Sequence, residues 1–186
     1  MTPAGSVGGD DRLRLFLALD LPAATVDVLE AWGEAHLRGG RIVPRAQLHV
    51  TLAFLGSRPA SELPAIVGAL RAAVGEVDGK IVLEPSRWRE TRSVGMLVLD
   101  DDAGAATDLA GRLHGWLEAL GVYRPESRPW LPHVTVLRFR ARPRLSPPLP
   151  ETGTFVPSDA AAYLSRLHPS GARYEVLERV SLNAGG

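Results

Sequence analysis

Apolar and polar positions along this chain fall into two rhythms, one of helical spacing and one of near-continuous or alternating runs. Leu13 to Leu19 is apolar except for Arg14, is bounded by Asp20 and Pro22, and predicts a first strand. From Pro22 to about Leu37, Val26, Leu29 and Trp32 recur at helical spacing. Proline opens that helix, where a missing N–H costs nothing, and Gly39-Gly40 stops it. Ile42 to Leu55 predicts a strand closed by Gly56, and Ser61 to Val74 a second helix with Leu63, Ile66, Val67 and Leu70 on one side. Lys80 to Trp88 and Val94 to Leu99 predict two strands joined by a charged turn. Ala105 to Leu120 predicts a third helix, ended by Gly121, and Leu131 to Phe139 a further strand. Pro143 to Pro157 is too rich in proline for an interior strand. Ala160 to Leu167 and Arg173 to Leu182 form a closing strand pair around His168-Pro169-Ser170-Gly171.

Strand–helix–strand therefore occurs near the start and again from Val94 to Phe139, a coarse internal duplication. The pattern predicts an α+β fold of two lobes, each a small antiparallel sheet backed by helices, with a groove between them. Each half carries the same phrase: His49-Val50-Thr51-Leu52 and, 84 residues on, His133-Val134-Thr135-Val136. On a strand, side chains alternate between faces. His49 and Thr51 should share one face, with Val50, Leu52 and Phe54 on the other; His133 and Thr135 should pair in the same way. A lone His-x-Thr is most simply a strand histidine bonded to its neighbour. Two copies in matched settings point to a site.

Imidazole holds or releases a proton near neutrality, since its ordinary pKa is ~6.5. Two of them across a groove can act as acid and base, each transfer contributing roughly 10²–10⁴ in rate. Two threonine hydroxyls beside them can donate to a charged oxygen. That set fits in-line cleavage of a phosphodiester without a metal, and a strained cyclic phosphodiester best of all. Its leaving alkoxide needs a proton, its attacking water needs a base, and its non-bridging oxygens need donors.

Composition narrows the picture further. With no cysteine among 186 residues, disulfides, thiol nucleophiles and Cys-ligated zinc are excluded. Zero formal net charge argues against a protein that coats long nucleic acid. Of the 21 basic residues all but Lys80 are arginine, and Arg124, Arg128, Arg138, Arg140, Arg142 and Arg144 surround the second motif with only Glu126 for balance. Guanidinium forks match phosphate oxygens, so one or two of these suffice to hold a phosphate end group. Arg138 falls on the face opposite His133 by strict alternation, and a phosphate role for it requires a bulge or twist. Phe16, sharing a face with Arg14 and Ala18, is a candidate to stack a base, as is Trp130, although core packing is the commoner fate of a strand aromatic. His36, His114 and His168 read as surface or helix-end residues. Asp100-Asp101-Asp102, just before a helix, reads as favouring the positive helix end rather than as a metal site. Residues 1–12 read as a loose tail rather than a signal peptide, and 13–186 as one bilobal domain. No apolar run approaches a membrane span, so a cytoplasmic protein is the default expectation; a monomer is expected separately, as is an RNA terminus or small cyclic-phosphate nucleotide as its partner.

The paired motifs, the opening Arg14-Leu15-Phe16-Leu17-Ala18-Leu19, the segment Pro132 to Arg138 and Tyr163-Leu164-Ser165 resemble the two-histidine phosphoesterase superfamily. Within it the chain is most similar to the RNA 2′,3′-cyclic phosphodiesterases, historically called 2′-5′ RNA ligases. The resemblance implies a bilobal fold with pseudo-twofold symmetry, no cofactor, and hydrolysis of an RNA 2′,3′-cyclic phosphate to a 2′-phosphate. By the same resemblance His49 is the proton donor to the departing 3′-oxygen, His133 the base that activates water, and Thr51 and Thr135 the phosphate holders. Reversible 2′-5′ ligation is compatible with such chemistry. The sequence scarcely separates RNA from a small cyclic nucleotide or ADP-ribose 1″,2″-cyclic phosphate as substrate; a module of the same fold that binds a nucleotide without hydrolysing it is the rival reading, and intact histidines at both motifs argue against it.

Overall fold

The computed structural model describes residues 11–182; most of the expected N-terminal tail lies outside them. The elements follow the predicted order: β1 (Arg12–Asp20), α1 (Ala23–His36), β2 (Arg41–Ile42), β3 (His49–Pro59), α2 (Leu63–Gly75), β4 (Glu84–Glu90), β5 (Val94–Asp100), α3 (Ala105–Ala119), β6 (His133–Arg138), β7 (Asp159–Arg166) and β8 (Arg173–Ser181). None of these helices is long and apolar enough to cross a membrane.

The strands run antiparallel in the order β4-β5-β6-β3-β1-β7-β8, with β2 also paired to β6. The two expected sheets are the halves of this order, β3-β1-β7-β8 and β4-β5-β6-β2. They are joined at one residue pair, Val50↔Val134, the centres of the two motifs. The duplication is visible in the register: His49 is paired with Asp20 at the end of β1, and His133 with Val98 near the end of β5. The predicted strand from Ile42 to Leu55 is broken in two by a short 3₁₀ turn at Arg45–Gln47. Pro44 precedes that turn; lacking an N–H, it cannot continue a ladder. The interruption lets β2 pair with one half of the sheet and β3 with the other.

Helices cover the face opposite the motif histidines, and two of them cross over. Leu29, Gly33 and Leu37 of α1 lie against Ile42, Val43 and Val136 of the second half, and Trp32 meets Trp88 of β4 at 6.2 Å between ring centroids. His114 of α3, from the second half, reaches Leu52 of β3 in the first. Each half is thus partly roofed by the other's helix, and the buried side chains form one continuous cluster. Asp101 accepts hydrogen bonds from the Ala106 and Thr107 backbone N–H groups and from the Thr107 hydroxyl, so one acid of the aspartate run caps α3.

The Pro-rich passage runs extended over the surface, touching the sheet through the isolated pair Leu83↔Phe155. The nearly buried Glu90 carboxylate anchors its start, accepting from the Arg144 and Leu145 backbone N–H groups and from the Arg142 guanidinium. Burial by itself raises the Glu90 pKa; these donors outweigh it and the net shift is downward. Arg144 is held there at φ 58°, a left-handed conformation unusual for a residue with a side chain.

Candidate active site

A bulge appears at the same place in both motifs. In the β1–β3 register Leu17 is opposite Ala53 and Ala18 opposite Thr51, so Leu52 is the extra residue. In the β5–β6 register Gly95 is opposite Leu137 and Met96 opposite Thr135, so Val136 is the extra residue. Each is the fourth position of its motif. A bulge makes two successive residues face the same way and shifts alternation by one beyond it. Leu52 and Ala53 are both buried, as are Val136 and Leu137. The next residues, Phe54 and Arg138, are therefore turned onto the histidine face. Phe54, expected behind the strand, is 50% exposed in the groove. Arg138, placed on the wrong face by strict alternation, lines the same cavity as His49 and Thr51.

The imidazoles are held alike. Nδ1 of His49 lies 2.7 Å from the Gln47 carbonyl oxygen, and Nδ1 of His133 lies 2.8 Å from that of Leu131. A carbonyl only accepts, so Nδ1 carries the hydrogen in both rings and Nε2 is the nitrogen that exchanges a proton. For His49, Nε2 lies 3.0 Å from the Thr51 hydroxyl. Because β3 and β6 run antiparallel about Val50↔Val134, Thr51 lies on the His133 side of that pair and Thr135 on the His49 side. Past this pair the strands diverge, leaving β3 carbonyls without a ladder partner. Trp130 Nε1 donates to the Thr51 carbonyl at 3.0 Å and His114 Nε2 lies 2.8 Å from that of Leu52. His114, read from sequence as a surface residue, is thus a structural donor stacked on Tyr123.

Phe16 does face the groove side of β1, yet it is only 3% exposed. Its ring stacks on Tyr163 at 4.9 Å and meets Tyr174 edge-on at 4.8 Å, with His49 at 5.0 Å. It is the floor beneath His49 rather than an open stacking surface. Behind that floor Asp20 binds the Tyr163 hydroxyl and, at 3.1 Å, the Arg179 guanidinium.

Two cavities of about 360 Å³ each open on the groove and share Thr51 and Phe54 as a common wall. One holds His49 with Arg14, Arg41, Arg138 and Gln47. The other holds His133 with Trp130, Tyr123, Met96 and Arg128. Arg14 lies over the Phe54 ring at 4.9 Å. Of the six arginines around the second motif, Arg138 and Arg128 line a cavity shared with a motif histidine, and Arg142 is committed to Glu90. Sequence reasoning passed over Arg14, Arg41, Gln47 and Tyr174. Arg14 alone carried a signal, its shared face with Phe16; Arg41 and Tyr174 are brought to the groove by the pairing of β2 with β6 and of β8 with β7, and Gln47 by the 3₁₀ turn before β3. No group of three His, Cys, Asp or Glu is placed to hold a metal ion among the described residues.

Burial pushes the His49 pKa down from 6.5 to about 4, and positive charge on His133 and Arg138 adds to the shift; the Gln47 carbonyl and Asp20 oppose it. The free protein therefore holds His49 neutral at pH 7. An unfolded chain binds this proton near pH 6.5, the folded one only near pH 4. Stability due to His49 is thus full above about pH 6.5 and is lost as pH falls to about 4, a loss of roughly 2–3 kcal/mol. Urea denaturation of the wild type and of His49→Gln at pH 7 and pH 4.5 should show this component in the former alone. Equal pH dependence in the two would contradict a buried neutral imidazole.

The family model of the 2′-5′ RNA ligase superfamily matches residues 20–169. The chain is 28% identical over 172 residues to the RNA 2′,3′-cyclic phosphodiesterase of Escherichia coli, covering 91% of this chain and 96% of that one. It is 33% identical over 191 residues to the protein of the same name from Thermus thermophilus, covering 91% and 90%. The crystal structure of E. coli LigT complexed with 3′-AMP has the same fold, with a TM-score of 0.79 at 25% identity over 92% of this chain and 98% of that one.

Proposed function

Because this chain belongs to the 2′-5′ RNA ligase superfamily, we propose that it hydrolyses RNA 2′,3′-cyclic phosphate ends to 2′-phosphomonoesters, by acid–base catalysis between His49 and His133 without a metal. The observation that carries this reading is the repeated setting of the two rings. Each has Nδ1 pinned to the carbonyl two residues before it, which leaves Nε2 as the nitrogen that exchanges a proton, on strands joined at the motif centres. A module that only binds nucleotides needs no second, identically oriented imidazole.

In this mechanism the phosphate lies between the rings. His133 takes a proton from water as it attacks phosphorus, and His49 gives one to the departing 3′-oxygen on the opposite side. Thr51 and Thr135 donate to the non-bridging oxygens, and Arg138 offsets their charge. Phe16 acts indirectly, by supporting the His49 ring. The free protein holds His49 neutral, so its donor role belongs to the substrate complex. A phosphate anion against Nε2 favours the imidazolium and offsets the opposing fields of His133 and Arg138.

The test is a short RNA ending in 2′,3′-cyclic phosphate, incubated with the protein in excess EDTA. Turnover should match that without chelator, since the two rings and the hydroxyls supply proton transfer and charge stabilisation by themselves. Loss of turnover in EDTA with recovery on adding a divalent ion would overturn the mechanism.

A further inference from the structure

Behind the floor of the His49 cavity one carboxylate is reached from two other strands. Phe16, Ala18 and Asp20 alternate onto the groove face of β1. Phe16 is opposite Tyr163 of β7 and Ala18 opposite Ala161, which is in turn opposite Arg179 of β8. A pair of alanines thus separates the Phe16–Tyr163 pair from Asp20. Their small side chains leave room for two long ones to converge on Asp20, the Tyr163 hydroxyl and, at 3.1 Å, the Arg179 guanidinium. Burial and the Asp20 carboxylate hold the Tyr163 phenol well above its usual range, so it remains the donor. Asp20 is also the cross-strand partner of His49, and side chains so opposed on one face are ~5 Å apart at Cβ.

Asp20 therefore meets the His49 ring by two routes. Through Tyr163 it fixes the ring that stacks on Phe16 at 4.9 Å, and Phe16 lies 5.0 Å from the imidazole. Across the strand pair its negative charge favours the imidazolium, against the positive charge of His133 and Arg138 on β6. The other charged or titratable groups around the ring are Arg14 on β1, Arg41 on β2, and Tyr174 and Arg179 on β8; Asp159 on β7 acts on Tyr163 and Arg179. We propose that Asp20 is a positioning residue for His49, which holds the floor under the ring through Tyr163 and supplies the negative charge that lets the ring carry a proton among cationic neighbours. Arg179 sets how much of that charge reaches the ring. This role rests on the proposed donor function of His49, which must be charged when the 3′-oxygen leaves.

The experiment follows the protonation of the His49 ring by nitrogen NMR in sodium sulfate, together with the pH profile of kcat for 2′,3′-cyclic AMP. Asp20→Asn keeps the shape and an acceptor for Tyr163 but removes the charge. Arg179→Gln, a change at a half-exposed side chain, removes the cation that offsets it. The His49 midpoint should fall in Asp20→Asn and rise in Arg179→Gln, each by at least ~0.5 pH unit, less than the full effect of an adjacent opposite charge. The alkaline limb of kcat, where the acid loses its proton, should move in the same two directions. Above that limb, Asp20→Asn should turn over about threefold more slowly than wild type and Arg179→Gln about threefold faster. A residue that only supports the fold would lower kcat at every pH and leave the midpoints in place. Midpoints that do not move in opposite directions overturn the inference, whatever kcat does. Opposite shifts without turnover of the cyclic phosphate would fail the proposed function and keep Asp20 as the partner of His49. Turnover with unmoved midpoints would do the reverse.

Discussion

Replacing either His49 or His133 with alanine is expected to lower turnover of a 2′,3′-cyclic phosphate at least ~100-fold, the lower end of what a positioned proton-transfer group contributes. Both rings sit at the starts of their strands and bond through Nδ1 to a carbonyl just upstream, while the sheet pairing runs through Val50 and Val134. The ladder and the apolar cluster behind it should therefore survive either change. The His49 ring also covers Phe16, so His49→Ala leaves a small gap above that floor, and denaturation of both variants must accompany the kinetics. Losing one partner of a concerted pair removes most of the benefit of the other, so the double variant should be little worse than the poorer single one. Thr51→Ala and Thr135→Ala should lose less, since each removes one hydroxyl donor among several positive groups. Near-normal turnover in either histidine variant, folded as the wild type, would make that residue structural.

The second large effect is categorical. All product should be the 2′-phosphate, identified against both isomers by phosphorus NMR or chromatography. The two histidines flank the shared wall of Thr51 and Phe54, one in each cavity. Acid and base on opposite sides of phosphorus permit only the oxygen in line with the attacking water to leave. With His49 serving the 3′-oxygen, phosphate stays on the 2′-oxygen. In the proposed binding mode the RNA chain continues past the His49 cavity, where Arg14, Arg41 and Arg138 offer it positive charge. A 3′-phosphate product would keep both histidines but exchange the ribose oxygen that His49 serves. A mixture would mean that the groove does not orient the ribose.

The order of elements was legible in the sequence because each rests on a local cause. Pro22 and Gly39-Gly40 bracket α1, helical spacing marks α2 and α3, and proline keeps residues 143–157 out of the sheet interior. His49, Thr51, His133 and Thr135 were legible as candidate residues because a four-residue phrase repeats in matched surroundings. A period-two pattern describes each motif as far as its fourth residue, Leu52 in one and Val136 in the other, both buried behind the strand.

Beyond that residue, alternation failed in both copies for one reason. A bulge depends on how a strand meets its partner across the ladder, and that pairing is not written in the strand's own periodicity. Leu52 and Val136 each add one residue to their strand, which turns Phe54 and Arg138 into the groove. The role of His114 was hidden in the same way, because it answers a carbonyl orphaned where two strands part, 62 positions away in the chain. The crossing of α1 and α3 over opposite halves likewise depends on which apolar faces remain uncovered once the strands have paired. The elements, their duplication and the four polar residues of the motifs thus follow from local spacing, which a linear chain carries in full. Which further side chains join those four, and the division of the groove into two cavities of different chemistry, follow from strand register, bulges and helix crossing, and these are set by contacts between distant parts of the chain.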